Sequence, residues 1–271
     1  MDSMRTIRYI AVGLLSVIFL VAALADWVAP APYAQQFRDA PSSAPSGRFL
    51  LGTDELGRDR LSRLLYGSRV SLLLAPATAL LSTLIAALIG GGAGYLGGRW
   101  DRLALRVIDL FLSLPWLFLL LMARAMLPLN VSPGVSITIT FALLGMLGWA
   151  APARIARAGA QSLRDADFVL QARACGCRGA RLLFTHVLPN LAPVLRAQFW
   201  ISVPVFILSE ASLGLLGLGV AEPLPSWGNL LRGLEGYSTA FSGPWALAPV
   251  LLLFVVVSCL HLVFPGREFS T

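Results

Sequence analysis

Few side chains in this chain of 271 residues have the type and spacing that covalent chemistry needs. Cys175 and Cys177 form a C-x-C pair with His186 further along the same polar stretch. A structural metal centre wants about four thiolate or imidazole ligands. This stretch supplies three at most, so small packing thiols are the favoured reading. Together with Cys259 the cysteines are too few and too scattered for a disulfide framework. His186 and His261 lie far apart, and neither H-E-x-x-H nor G-x-S-x-G is present. All 21 basic residues are arginine, so a Walker-type G-x-x-x-x-G-K-[ST] loop is impossible.

The sequence Gly92-Ala93-Gly94-Tyr95-Leu96-Gly97 matches G-x-G-x-x-G. That fingerprint works only between a strand and a helix N-terminus that receives phosphate. Here it closes an apolar run. Gly90 with Gly94, and Gly94 with Gly98, instead have the small-xxx-small spacing of close helix packing. No catalytic residue, cofactor site or metal site is assigned, and the chain is expected to perform no covalent chemistry. Two charges remain inside apolar runs, Glu210 and Arg124. A charge there is costly and faces a cavity or a partner. They are candidates for the lining of a pathway or for packing, and a Glu210–Arg124 pair or a helix-packing hydrogen bond is favoured.

The elements that hold these residues are membrane spans. The chain is 57% hydrophobic and 13% charged, where a soluble domain carries about 25% charged residues. Apolar runs at 9–28, 71–95, 108–127, 135–153, 194–220 and 245–264 each approach the roughly 20 residues that cross a bilayer. An all-α polytopic protein of about six spans is expected. The first run could be a secretory signal, with Arg5 and Arg8 ahead of it and Ala23-Leu24-Ala25 as an A-x-A site. Its length favours an uncleaved anchor.

The formal net charge of +7 could suggest nucleic acid, but the arginines sit beside apolar runs. Positive-inside anchoring accounts for them. Arg99, Arg102 and Arg106, and the set from Arg154 to Arg181, place the short loops 96–107 and 154–193 in the cytoplasm. Both termini then lie inside, with 30–69 and 221–244 outside. Residues 30–47 are rich in Pro, Ala and Ser and read as an irregular linker. Leu61, Leu64, Leu65 and Tyr66 recur at helical spacing among Arg60, Arg63 and Arg69. They predict an amphipathic helix on the membrane surface ahead of the second span.

The stretch DFVLQARACGCRGARLLFTHVLPN, 167–190, has its own punctuation. Ser162-Leu163-Arg164-Asp165 resembles a capping box and predicts a helix start. The helical pattern runs through Ala174, and Gly176 suits a left-handed turn. A second short helix is expected from about Gly179 and stops at Pro189. Small residues at Ala172, Ala174 and Gly176 permit close approach by a partner surface.

This stretch resembles the EAA loop of permease subunits of bacterial ABC importers. Three blocks narrow the resemblance to the peptide/nickel branch: LGTDELGRDRLSRLLYGSRVSL at 51–72, ARIARAGAQSLRDADFVLQARACG at 153–176 and EASLGLLGLGVAEPLPSWGNLL at 210–231. The chain departs from the pattern at Leu170, where the family has the motif's acid, and at Gln171, where it has alanine. His186 replaces a frequent isoleucine, and the end LVFPGREFST is less polar than usual.

The resemblance implies a type I importer transmembrane domain over 70–265, after an anchor at 1–30 and an external linker and amphipathic helix at 31–69. Residues 266–271 would form a cytoplasmic tail. It implies a coupling loop at 154–193 in which Ala172, Arg173, Gly176, His186, Leu188 and Pro189 meet an ATPase. The implied partners are a second homologous permease subunit, two ATPase subunits that bind ATP and magnesium, an external solute-binding protein and the lipid of a bacterial inner membrane; nucleic acid is not among them. The cargo would be a di- or oligopeptide, or nickel. The alternative class is an intramembrane enzyme, which should bring several His, Ser or acidic residues together on facing spans.

Overall fold

Inside a bilayer every backbone N–H must be satisfied within its own segment, which makes helix the default for long apolar runs. The computed structural model describes residues 2–128, 131–234 and 243–264, with side chains from residue 5 onward. Besides the short turn Ala25–Val28, its helices are α1 (Asp2–Ala23), α2 (Arg60–Leu96), α3 (Gly98–Ser113), α4 (Trp116–Ala125), α5 (Pro133–Arg164), α6 (Asp167–Ala174), α7 (Gly179–Leu215), α8 (Trp227–Arg232) and α9 (Pro244–Val263). Among the described residues the extended pairing is limited to one isolated bridge, Thr53 with Asp59. Helices α1, α2, α5, α7 and α9 are long and apolar enough to cross a membrane, and α3 with α4 makes a sixth if counted as one bent span. The all-α polytopic expectation holds.

The third expected span, 108–127, is not straight. Helices α3 and α4 meet at 88° across Leu114 and Pro115. Leu114 takes an extended conformation, φ −88 and ψ 137, which is what the ring of a following proline favours. The surface helix expected at 60–69 is also absent as a separate element, because Arg60 opens the 37-residue helix α2. Arg63 is only 3% exposed. It is matched by Glu222 at 2.8 Å and Asp54 at 3.8 Å, so this first turn is held by ion pairs.

The described residues fall into two compact units. The first contains residues 2–75, 121–141 and 204–264. Within it α1 packs on α9, with Ala11, Cys259 and Val263 buried together and Leu15 and Val255 beside them. The linker expected at 30–47 is irregular but pinned. Phe37 stacks edge-on to Phe49 at 5.0 Å, and the Arg48 guanidinium lies 4.9 Å from each ring. The Ala31 N–H donates to Ser62 Oγ at 3.1 Å. Asp39 and Asp26 are paired with Arg48 and Arg69, whose hydrogen bonds hold both carboxyls below the usual range.

The second unit contains residues 76–120 and 142–203. Its core joins the ends of α2 and α5 to the segment after them: Tyr95, Ala156, Ala160, Val169, Leu182, Val187 and Leu191 are all buried. A Cβ at Gly90 would overlap the Ala153 carbonyl, and one at Gly94 would overlap that of Arg157. Small residues here let two helix backbones touch. Gly98 departs from that expectation. It has φ 62 and no atom within 4 Å of a Cβ position, so it makes the turn into α3 rather than a helix contact.

Candidate functional site: the glycine joint and the buried charges

Helix α5 ends at Arg164, and α6 starts at Asp167 after an extended Ala166. The start expected at Ser162 is not used. Ser162 stays within α5, and its hydroxyl donates to the Gly159 carbonyl at 2.8 Å. Asp167 instead places a carboxylate in the first turn of α6, where the helix dipole favours it.

The far end of α6 follows the expected pattern. Gly176 has φ 85. The Cys177 N–H donates to the Ala172 carbonyl at 2.9 Å and the Gly176 N–H to that of Arg173 at 3.0 Å. These two bonds make a Schellman ending, which satisfies carbonyls the helix would leave orphaned. Ala172 and Cys177 rest against the buried core below.

The second helix starts at Gly179 as expected but does not stop at Pro189. It passes through a π turn, Leu183–Val187, and continues to Leu215. The Leu188 N–H reaches back to the Leu183 carbonyl, which widens the turn just ahead of the proline. The Asn190 side chain donates to the His186 carbonyl at 2.7 Å, and the Thr185 hydroxyl donates to that of Arg181. A proline inside a span is tolerated where the local helix geometry adjusts, here by the π turn just before it.

The six residues singled out in this stretch do not share one surface. Ala172, Gly176 and His186 converge on a groove of about 640 Å³, with Phe168, Gln171 and Cys175 on its walls. Arg173 turns to the ring of Tyr95 at 5.9 Å, and the Tyr95 hydroxyl donates to the Gly179 carbonyl at 3.2 Å. Leu188 packs inward on the core, and Pro189 is exposed. Residues 154–193 are mostly helix: the end of α5, all of α6 and the start of α7.

In the first unit Glu210 is fully buried, with Oε2 accepting from the Ser71 hydroxyl at 3.2 Å. Its Oε1 has no hydrogen-bond partner among the described residues and lies against Gly228. Arg124 is 1% exposed. Its guanidinium donates to the Pro128 carbonyl at 3.3 Å and to Ser136 Oγ at 3.4 Å. The expected Glu210–Arg124 pair is therefore not formed, and each charge meets hydroxyl or carbonyl groups on its own side.

Sequence reading missed four arrangements. Asp101 of α3 takes a two-pronged contact from Arg157, both distances 2.6 Å, and a third bond from Gln161 at 3.0 Å. Arg154 makes a single, half-exposed contact with Asp109, also on α3. The helical spacing of Arg154, Arg157 and Gln161 is the signal that the sequence offers for them. Glu222 binds both Arg58 and Arg63, a long-range pairing that no local pattern marks. Ser226 and Asn229 form a capping box that starts α8, with Asn where the usual pattern has Glu or Gln.

A family model described as binding-protein-dependent transport system inner membrane component matches residues 82–265. The chain is 39% identical over 233 residues to the di/tripeptide transport system permease protein DppC of Pseudomonas aeruginosa, covering 83% of this chain and 75% of that protein. It is 32% identical over 256 residues to the oligopeptide transport system permease protein OppC of Haemophilus influenzae, covering 93% and 80%. It is 33% identical over 228 residues to the dipeptide transport system permease protein DppC of Bacillus subtilis, covering 84% and 69%.

Proposed function

The chain belongs to the binding-protein-dependent transport system inner membrane component family, and on that premise we propose that it forms half of the membrane pathway of an ATP-driven peptide importer. It is a transport subunit and not an enzyme, which sets aside the alternative of an intramembrane enzyme. The observation that carries the peptide reading is similarity to peptide permeases over more than four-fifths of the chain, 83% for the Pseudomonas relative. Nickel has no support among these relatives.

In this reading an external binding protein delivers a di- or oligopeptide to a cavity shared with a second permease subunit. Two ATPase subunits, which hold ATP and magnesium, close on one another and push on the groove at Ala172, Gly176 and His186. Helix α7 begins beside that groove at Gly179 and carries Glu210 near its other end, so a push at the joint has a continuous element to act on. The joint faces the cytoplasm of a bacterium, with both termini inside and 30–69 and 221–244 outside. The arginine distribution supports this orientation; residues 235–242 and the tail 266–271 lie outside the described residues.

The test is purification of the tagged chain with its genomic neighbours, followed by reconstitution. Co-elution of an ATPase, and uptake of a labelled dipeptide that needs ATP and the binding protein, is the expected result. Isolation of the chain alone, reproducibly and from mild detergent, counts against it. Orientation is tested with Arg178→Cys in a cysteine-free background, since Arg178 is exposed. An impermeant thiol reagent should label it only after the cells are opened; labelling of intact cells would reverse the topology.

A further inference from the structure

Arg124 lines a cavity of about 360 Å³ in the first unit, together with Arg232, Glu222 and the backbone of Gly214, Gly217 and Gly219. The glycines matter to its shape. A Cβ at Gly217, whose φ is 77, would lie 2.9 Å from Arg232 Cζ, and one at Gly219 would lie 2.6 Å from Gly214 Cα. Side chains there would fill the space that the backbone leaves open.

The charges of this cavity do not balance. Arg124 is 1% exposed, its two described contacts are long and neutral, and its Nε has no partner among the described residues. The other deeply buried arginine, Arg63, is treated differently, with Glu222 at 2.8 Å and Asp54 at 3.8 Å. Glu222, the one acid on the cavity wall, is also held by Arg58 at 2.6 Å, so it is already neutralised. Arg232 adds a second guanidinium with no ion pair among the described residues. A guanidinium withdrawn from water without a carboxylate is costly, and its planar fork matches a carboxylate in two-pronged geometry.

We propose that this cavity is a carboxylate subsite of the pathway, in which Arg124 and Arg232 receive the C-terminal carboxylate of a peptide in transit. The inference rests on the peptide reading above and adds the feature of the cargo that is recognised. The volume suits one or two terminal residues rather than a whole oligopeptide, which lets side chains and chain length vary beyond the anchored end.

The experiment uses the full complex in proteoliposomes, with trialanine and trialanine amide as probes. Uptake of each is measured at saturating loaded binding protein, so that the binding protein's own preference drops out. The wild-type complex should move the acid about tenfold faster than the amide, the scale of one charge-assisted hydrogen-bond pair. Arg124→Gln should bring that ratio near one, and Arg124→Lys should restore part of it. Arg232→Gln, at an exposed position, carries the same test should the buried variant fail to assemble. A wild-type ratio near one, or a ratio that both glutamine variants preserve, overturns the subsite. A wild-type complex that takes up neither peptide despite ATP turnover overturns the peptide reading and the subsite with it.

Discussion

The Ser71 hydroxyl donates to Glu210 Oε2 at 3.2 Å and accepts from the Trp227 backbone N–H at the same distance. One hydroxyl thus links α2, α7 and the start of α8. Trp227 is fully buried and its indole N–H donates to Ser68 Oγ at 3.0 Å, so α8 is held at two points. Gly214 and Gly228 bring α7 and α8 into backbone contact at this place. Glu210 is therefore the acceptor at the end of a packing chain.

Glu210→Gln should leave the protein close to wild type, because an amide oxygen still accepts from Ser71. Glu210→Leu should destabilise it by about 2 kcal/mol more, since the Ser71 and Trp227 donors lose the end of their chain in a low dielectric. Thermal aggregation midpoints in detergent and uptake at matched membrane levels give the comparison. Equal loss in both variants would show that the negative charge itself is required.

Gly90→Ala should cost about 1–3 kcal/mol, because a Cβ has no room before the Ala153 carbonyl and a backbone must shift. Gly92→Ala, on the same helix with nothing within 4 Å of its Cβ position, should be neutral or stabilise by less than about 1 kcal/mol. Denaturation by a graded denaturing detergent would rank the two. An unchanged midpoint for Gly90→Ala would mean that α2 and α5 do not touch there.

Gly176→Val should uncouple ATP hydrolysis from uptake while insertion and expression persist. No atom lies within 4 Å of a Cβ at this position, so the effect comes from φ 85 alone. A non-glycine residue there loses roughly 1–2 kcal/mol, more for a β-branched one, and the α6–α7 angle relaxes. Gly176→Asn, which tolerates this region better, should keep more coupling. The readout is peptide moved per ATP hydrolysed in proteoliposomes. A wild-type ratio for the valine variant would remove the joint from the transmission path.

Much of the joint was legible because its signals are local. Gly176 sits just past a helical pattern, and the left-handed turn needs no distant partner. Pro189 misled for the same reason: a proline normally ends a helix, but here α7 passes through a π turn just before it and continues. Arg60 and Arg63 misled through their charge. Arginines ahead of an apolar run read as a surface helix until Glu222, far along the chain, is seen to neutralise one of them.

The sequence by itself determined that this is a helical membrane protein, and where its apolar runs lie. Those properties follow from hydropathy and local spacing, which any segment carries wherever it is placed. The tertiary structure alone decided the pairings. Glu210 meets Ser71 and not Arg124, Asp101 meets Arg157, and Glu222 meets Arg58 and Arg63. A buried charge takes whichever partner the packing of other helices brings within about 3 Å, and no pattern within one helix states which that is.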